Sequence, residues 1–279
     1  MLRAALSDIT YNCRVKTYPD GSVSMLIADR DIFREPGWEA ERSEADTKSP
    51  ARKDAEDKSA SLARSKRRAR NRIFDYAYAN PDLCLFCTFT LDPARVNSRY
   101  DAAALTKRLG VWLDNRVRRA GLKYVIIPEL HRDGALHWHG LLNDVLPLVD
   151  SGTVKPSSGG RPRKPRSVQE RAALLFDGAA IIYNLPDWTY GFSSCMRLYG
   201  ERAAAVGYVC KYITKAPDKV AGRWYYSGGQ LALPAVSLCH VDDYEDIDGG
   251  TEFVIPALSC RCRQIFSYDG GNQDGGMET

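Results

Sequence analysis

The sequence predicts an α+β fold, an antiparallel sheet with helices packed on it, and three observations lead there. Between residues 62 and 215 the patterns run helix, strand, helix, strand, strand, strand, helix, an order that suits neighbouring antiparallel strands better than repeated parallel crossovers. The turn Arg132-Asp133-Gly134 sits between two apolar-rich runs, YVIIPEL and ALHWHGLL, which is the chemistry of a β-hairpin. Finally, a chain of 279 residues with 44% hydrophobic content is long enough and apolar enough to bury a substantial core.

Each element follows from local pattern. Residues 11 to 28, YNCRVKTYPDGSVSMLIA, read as a hairpin turning at Pro19-Asp20-Gly21. Residues 39 to 60 carry Glu, Asp, Lys, Ser and Ala with almost nothing apolar, and read as a linker or a solvated helix start. From Leu62 to Tyr78 a helix presents Leu62, Ala69, Ile73 and Tyr76 on one face, and Pro81 stops it. A strand over 83 to 91, LCLFCTFTL, ends at Asp92-Pro93. An amphipathic helix from Ala102 to Ala120 follows, with Leu105, Leu109, Trp112, Leu113 and Val117 as its apolar stripe and Gly121 as its stop.

The hairpin occupies 123 to 142, and residues 150 to 168, rich in Gly, Pro, Ser and basic side chains, read as a long loop. A short strand (Ala179 to Tyr183), the turn segment NLPDWTYGFSS and a helix from Arg202 to Lys215 come next. GRWYYSGGQLALPAVSLCHV reads as further β structure, and DGGNQDGGMET as a disordered tail. The resulting division is an N-terminal β-hairpin extension over 1–38, a polar linker over 39–61, a main domain over 62–260 and a C-terminal tail over 261–279.

Composition excludes several classes. No apolar run approaches the roughly 18 to 20 residues that span a bilayer, and MLRAALSDITYNCR lacks the apolar stretch of a signal peptide, so the expectation is a cytoplasmic protein with no membrane partner. The eight cysteines are scattered and expected to be free thiols. Cys84 and Cys87 form a CxxC within a strand pattern that sends them to opposite faces, which argues against a zinc ribbon. There is no internal repeat and no GxxxxGK[ST], so no P-loop ATPase is expected.

Net charge is only +4, but its distribution is uneven: Arg64, Lys66, Arg67, Arg68, Arg70 and Arg72 crowd one stretch, and RPRKPR at 161 to 166 makes a second. Either run can meet phosphates or serve as a solvated face. Arg67, Arg68, Arg70, Arg163 and Lys164 are the candidate contacts from these runs.

ELHRDGALHWHG, residues 129 to 140, gathers three of the chain's four histidines. With the turn centred on Asp133, Glu129 falls opposite His137. Alternation places His137 and His139 on one strand face and Trp138 on the other. Two imidazoles and a carboxylate from the neighbouring strand then form a chelating patch. His131 lies on the same face, nearer the turn, where it contacts an anionic partner, supports the chelating residues or is simply an exposed histidine.

A second constellation sits in VGYVCKYITKAP. Tyr208, Lys211, Tyr212 and Lys215 share i, i+3, i+4, i+7 spacing, with Val206, Val209, Cys210 and Ile213 on the opposite side. Two phenols interleaved with two ammonium groups suit an anionic partner. A tyrosine with an ordinary pKa of about 10 becomes a usable nucleophile toward a phosphodiester when a lysine and a divalent metal assist.

These motifs resemble, in order, those of the HUH endonucleases, specifically the rolling-circle replication initiators (Rep proteins) of plasmids and single-stranded DNA phages and viruses. FCTFTLDP (86 to 93) resembles their Thr-rich first motif, ELHRDGALHWHGLL (129 to 142) the second, and YVCK (208 to 211) the third. WTYGFSS and GRWYYSGG are similar to a bacterial and phage branch, and the resemblance spans about 62 to 234. It implies a ferredoxin/RRM-like core, Glu129, His137 and His139 as ligands of Mg2+ or Mn2+, Tyr208 as nucleophile and Lys211 as its assistant. Tyr212 creates a YxxxY pattern, so one or two active tyrosines stay open; Lys215 joins the DNA contacts.

The activity so implied is nicking and joining of single-stranded DNA at a replication origin through a 5′-phosphotyrosine. Because no helicase domain accompanies the motifs, a host helicase and polymerase would be partners. Three alternatives remain: an HUH tyrosine transposase, a non-catalytic DNA-binding protein on the same fold, and a small-molecule metal hydrolase. The last would need further ligands downstream, where only His240 stands.

Overall fold

The structure, a computed structural model, describes residues 2–4, 10–33, 55–198, 218–255 and 260–267. The fold is α+β, with two antiparallel sheets and, among the described residues, three helices. By its own contacts the chain divides into residues 56–232 and a discontinuous unit made of 1–55 with 233–279. This differs from the division read from sequence. The boundary expected at 260 falls near 232, and the N-terminal hairpin is part of a sheet with C-terminal strands rather than a separate extension.

The unit over 56–232 is built on a seven-stranded sheet. Its strands are β4 (Leu85–Leu91), β5 (Tyr124–Leu130), β6 (Leu136–Leu142), β7 (Val149–Lys155), β8 (Ala180–Asn184), β9 (Gly191–Arg197) and β10 (Tyr226–Gly228), in the order β10-β5-β6-β4-β9-β8-β7. Strand β6 lies inside this order, paired with β5 on one side and β4 on the other, and all seven of its residues are buried.

Helix α1 (Ala55–Ala79) begins earlier than the apolar stripe from Leu62 suggested. Its first turns come from the stretch rich in Ala, Glu, Lys and Ser, good helix formers or neutral ones, that read as a linker or a solvated helix start. Ala69, Ile73 and Ala77, spaced by four, are its buried row. Helix α2 (Ala102–Ala120) has the predicted bounds. Asp101 caps its N-terminus by accepting from the Ala104 amide at 3.0 Å, and Gly121 ends it in the left-handed region at φ 68°.

Leu105, Leu109, Trp112 and Leu113 of α2 are buried against Phe89, Leu136, Trp138 and Trp188. Each such side chain contributes about 1.5–3 kcal/mol of apolar burial. The rings of Phe89, Trp112, Trp138 and Trp188 pack edge-on or tilted, with centroids 4.9 to 5.8 Å apart. The Trp112 indole donates to the Asp187 carbonyl at 2.8 Å, and Arg116 pairs with the Asp187 carboxylate at 2.9 Å. One face of the sheet is thereby committed to α2, and functional side chains are left the other.

Two elements differ from expectation. The long loop expected over 150 to 168 contains β7 and, at its end, the start of helix α3 (Val168–Phe176). Strand β7 pairs only with β8 and carries an irregularity between Asp150 and Thr153, so it lacks the alternation that marks a strand. Helix α3 is capped by Ser167 but buries none of its residues, which leaves no stripe to read.

The discontinuous unit holds β1 (Leu2–Ala4), β2 (Thr10–Thr17), β3 (Val23–Phe33), β11 (Ala235–Val241), β12 (Thr251–Ile255) and β13 (Cys260–Ser267), ordered β1-β11-β2-β3-β13-β12. The β2–β3 hairpin turns at Pro19-Asp20-Gly21 as predicted, with Gly21 at φ 83°. Strand β13 occupies residues assigned to the tail; 268–279 lie outside the described residues. Cys13, Ile27, Cys239, Val241 and Tyr244 form its core, and the Asn12 side chain exchanges two 2.8 Å hydrogen bonds with the Val241 backbone. The seven cysteines among the described residues are free thiols. Cys84 precedes β4 and touches the same core as Cys87, not an opposite face. No helix among the described residues is long and apolar enough to cross a membrane.

Candidate metal centre

The hairpin β5–β6 turns through Arg132, Asp133 and Gly134. The His131 amide donates to the Ala135 carbonyl and the Gly134 amide to the His131 carbonyl, both at 2.9 Å, while Gly134 takes φ 84°. This is a three-residue loop closed by a glycine in the left-handed region, and it fixes the register of both strands. Glu129 pairs with His137 and Ile127 with His139, the register anticipated from the turn. Gly140 follows His139 where a Cβ would lie 2.5 Å from the Val125 carbonyl oxygen, so a glycine in HWHG permits the close approach of β5 to β6.

Both imidazole Nε2 atoms converge on one oxygen of Glu129: His137 at 3.2 Å and His139 at 2.9 Å from Oε2. One ligand atom from each of the three residues lies within 4.8 Å of the others. The two rings stand perpendicular, at 86° with centroids 4.7 Å apart. Both histidines are buried, whereas the Glu129 side chain keeps 28% of its exposure, so the patch opens toward solvent on the carboxylate side.

Neighbouring strand β4 supplies the ring orientation. Thr88 pairs with His139 and Thr90 with His137. The Thr88 hydroxyl lies 2.9 Å from His139 Nδ1. When Nδ1–H donates to that oxygen, the Nε2 lone pair is left for a ligand. Phe86 stacks beside the same ring at 6.0 Å. His131 stacks on His137 with centroids 3.8 Å apart; it is an exposed turn residue laid against the site. Burial, and secondarily the neighbouring His131, push the His137 pKa below its ordinary value against the pull of Glu129.

These residues fit a divalent ion. Metal–ligand bonds of about 2.1 Å at right angles separate ligand atoms by about 3 Å, which is the spacing of the Nε2 atoms from Oε2. A depressed imidazole pKa keeps the lone pair unprotonated near neutrality. The His131 ring, stacked on His137, backs the imidazole. The cluster can therefore hold a metal ion.

Thr88 as the partner of His139 is a role that the strand sequence alone did not reveal, because it depends on β4 lying next to β6. We expect Thr88→Val, which preserves shape, to weaken Mn2+ binding about 10- to 100-fold, read by calorimetric titration with thermal stability as control. Unchanged affinity would mean that the ring is oriented without the hydroxyl.

The remaining predicted residues that the structure describes lie on α1 and beside β7. Arg67, Arg68 and Arg70 are exposed on α1. Arg163 is engaged: its guanidinium meets Glu170 at 2.5 Å and its backbone is bridged to Val154, which pins the basic run along β7, while Lys164 is exposed. Tyr208, Lys211, Tyr212 and Lys215 lie outside the described residues.

Residues 84–217 match the family model of the replication-associated protein ORF2. The matched stretch begins beside β4, contains the whole β5–β6 hairpin with Glu129, His137 and His139, and reaches past Tyr208. Over this stretch, just under half of its length, the chain is similar to replication-associated proteins. No curated protein and no solved structure matches the chain.

Proposed function

We propose that this chain is a metal-dependent, site-specific nicking and joining enzyme for single-stranded DNA, an HUH endonuclease domain that initiates rolling-circle replication of a plasmid or phage. The observation that carries the reading is the convergence of Glu129, His137 and His139 on one sheet face, inside the stretch similar to replication-associated proteins. A DNA-binding module without chemistry would need none of the three.

In this reading the triad holds Mg2+ or Mn2+; the mixed donor set suits Mn2+, while physiological abundance favours Mg2+. The bound ion would neutralise charge on the scissile phosphate. Tyr208 attacks phosphorus through its phenolate oxygen, with Lys211 assisting loss of the phenolic proton. As the Tyr–O–P bond forms, the P–O3′ bond breaks and the 3′ oxygen leaves, taking up a proton to become the 3′-OH. The 5′-phosphotyrosine so formed conserves the phosphodiester's energy for rejoining, and the free 3′-OH can prime synthesis by a host polymerase behind a host helicase. Tyr212 is the candidate second nucleophile.

The test is direct. Purified chain with Mn2+ and a labelled single-stranded pool should yield a denaturation-resistant protein–DNA adduct whose sequenced junctions share one site. Binding of both Mn2+ and DNA without any adduct would refute the reading.

Arg67, Arg68 and Arg70, with Arg163, Lys164 and Lys215, would contact phosphates. Neutralising the three α1 arginines together should lower the slope of log K against log salt by about 2 for a single strand, leaving the cleavage position unchanged. A constant slope would make that face a solvated surface only.

A further inference from the structure

The face of the sheet that carries the triad continues beyond it in register. From Glu129 on β5 the row runs through His137 on β6 and Thr90 on β4 to Phe192 on β9. The next row runs Ile127, His139, Thr88, Ser194. Cys195, which follows Ser194, belongs to the α2-side core, so Phe192 and Ser194 point to the triad's face by alternation.

Exposure increases along the row. His137 is buried, Thr90 is half-buried and Phe192 is 63% exposed. Strand β8 pairs with β9 only at Met196 and Cys195, so among the described residues no strand flanks Phe192 on its outer side. Scattered exposed aliphatics are ordinary. Here the apolar group is a whole ring, and it lies at the exposed end of a polar row two strand spacings, roughly 10 Å, from His137.

We propose that Phe192 is a stacking platform for a base of the single-stranded substrate, next to the phosphate held at the triad. The inference deepens the function proposed above and rests on it. A phenyl ring offers every base a π-face, so the contact would anchor the strand without reading its sequence. Phosphate contacts alone let a strand slide; a base held at a fixed distance from Glu129 and His137 sets which phosphodiester stands at the metal. Thr90 between ring and triad, and Ser194 beside the ring on β9, can hydrogen-bond to the intervening nucleotide.

The test compares the full chain with Phe192→Leu and Phe192→Tyr, using a short labelled single strand of mixed sequence. Binding is followed by fluorescence anisotropy in chelator, and Mn2+ affinity is measured separately. Leu should weaken strand binding about 5- to 100-fold and Tyr should stay within about twofold, with Mn2+ affinity equal in all three. The same strand carrying iodouridine should photo-crosslink to the peptide containing residue 192 in the wild type. Equal strand affinity in wild type and Phe192→Leu, or crosslinks that map elsewhere, would overturn the platform. A platform result in a protein that forms no covalent adduct would leave Phe192 as a base contact and remove the nicking reading. Adduct formation that is indifferent to the Leu variant would do the reverse.

Discussion

On the proposed function, His137→Ala should abolish DNA cleavage, on the order of 10³-fold or more, because it removes one of the three residues that would hold the ion, whose charge would offset that of the pentacoordinate phosphorus. Glu129→Gln should act similarly while changing less of the packing, since its side chain is partly open to solvent and His137 is not. Both variants should retain most of their affinity for single-stranded DNA, which rests on the phosphate backbone and basic side chains. Calorimetric titration with Mn2+ should report the lost site. Cleavage by His137→Ala at the wild-type rate in chelator-treated buffer would end the metal assignment.

Acid should act through the same residue. Burial holds the His137 pKa below its ordinary 6.5, so the unfolded chain takes up a proton before the folded one does. The metal-free protein should therefore lose stability as pH falls below 6.5, the loss being complete below the folded value. Metal binding should weaken over the same range, because protons compete for the lone pair.

Tyr208→Phe should eliminate the covalent adduct, and Tyr212→Phe should keep it with weakened rejoining. Removing a nucleophile's oxygen takes away the bond-forming atom itself, so the effect is expected to be total, not graded. Tyr208 fits the Tyr-x-x-Lys spacing with Lys211, and Tyr212 stands in the same relation to Lys215. On a helix the two phenols would share a face about 6 Å apart along the axis, close enough to take turns. Mass spectrometry of the adduct peptide decides between them. Adducts in both single variants but not in the double would make the tyrosines interchangeable, and an adduct confined to Tyr208→Phe would reverse the assignment.

The parts that were legible in the sequence are those written locally. Arg132-Asp133-Gly134 fixes its own turn, and the turn fixes Glu129 against His137, so the triad could be assembled from a dozen residues. Helix α2 likewise carries its cap, stripe and stop within its own length. Neighbours chosen by tertiary structure were not legible: Thr88 meets His139 only because β4 inserts beside β6, and Phe192 aligns with His137 only through Thr90. VDSGTVK hid as a loop because an edge strand with one partner needs neither a buried face nor strict alternation. The six-stranded sheet escaped because its pairings join sequence-distant segments, as with Asn12 and Val241, 229 residues apart.

That pairing has a consequence for biosynthesis. Strands β2 and β3 emerge from the ribosome early, but β2 acquires its partner β11 and β3 its partner β13 only after the entire stretch 56–232 has been made. At about 5–20 residues per second, the early hairpin waits on the order of ten seconds or more with two unpaired edges. The triad's hairpin and every strand of its sheet lie within the intervening stretch, and they can pair as they appear. The nascent chain would thus complete the sheet that carries the triad first and join its two ends last, and a chain stalled before residue 235 would expose bare strand edges that invite aggregation.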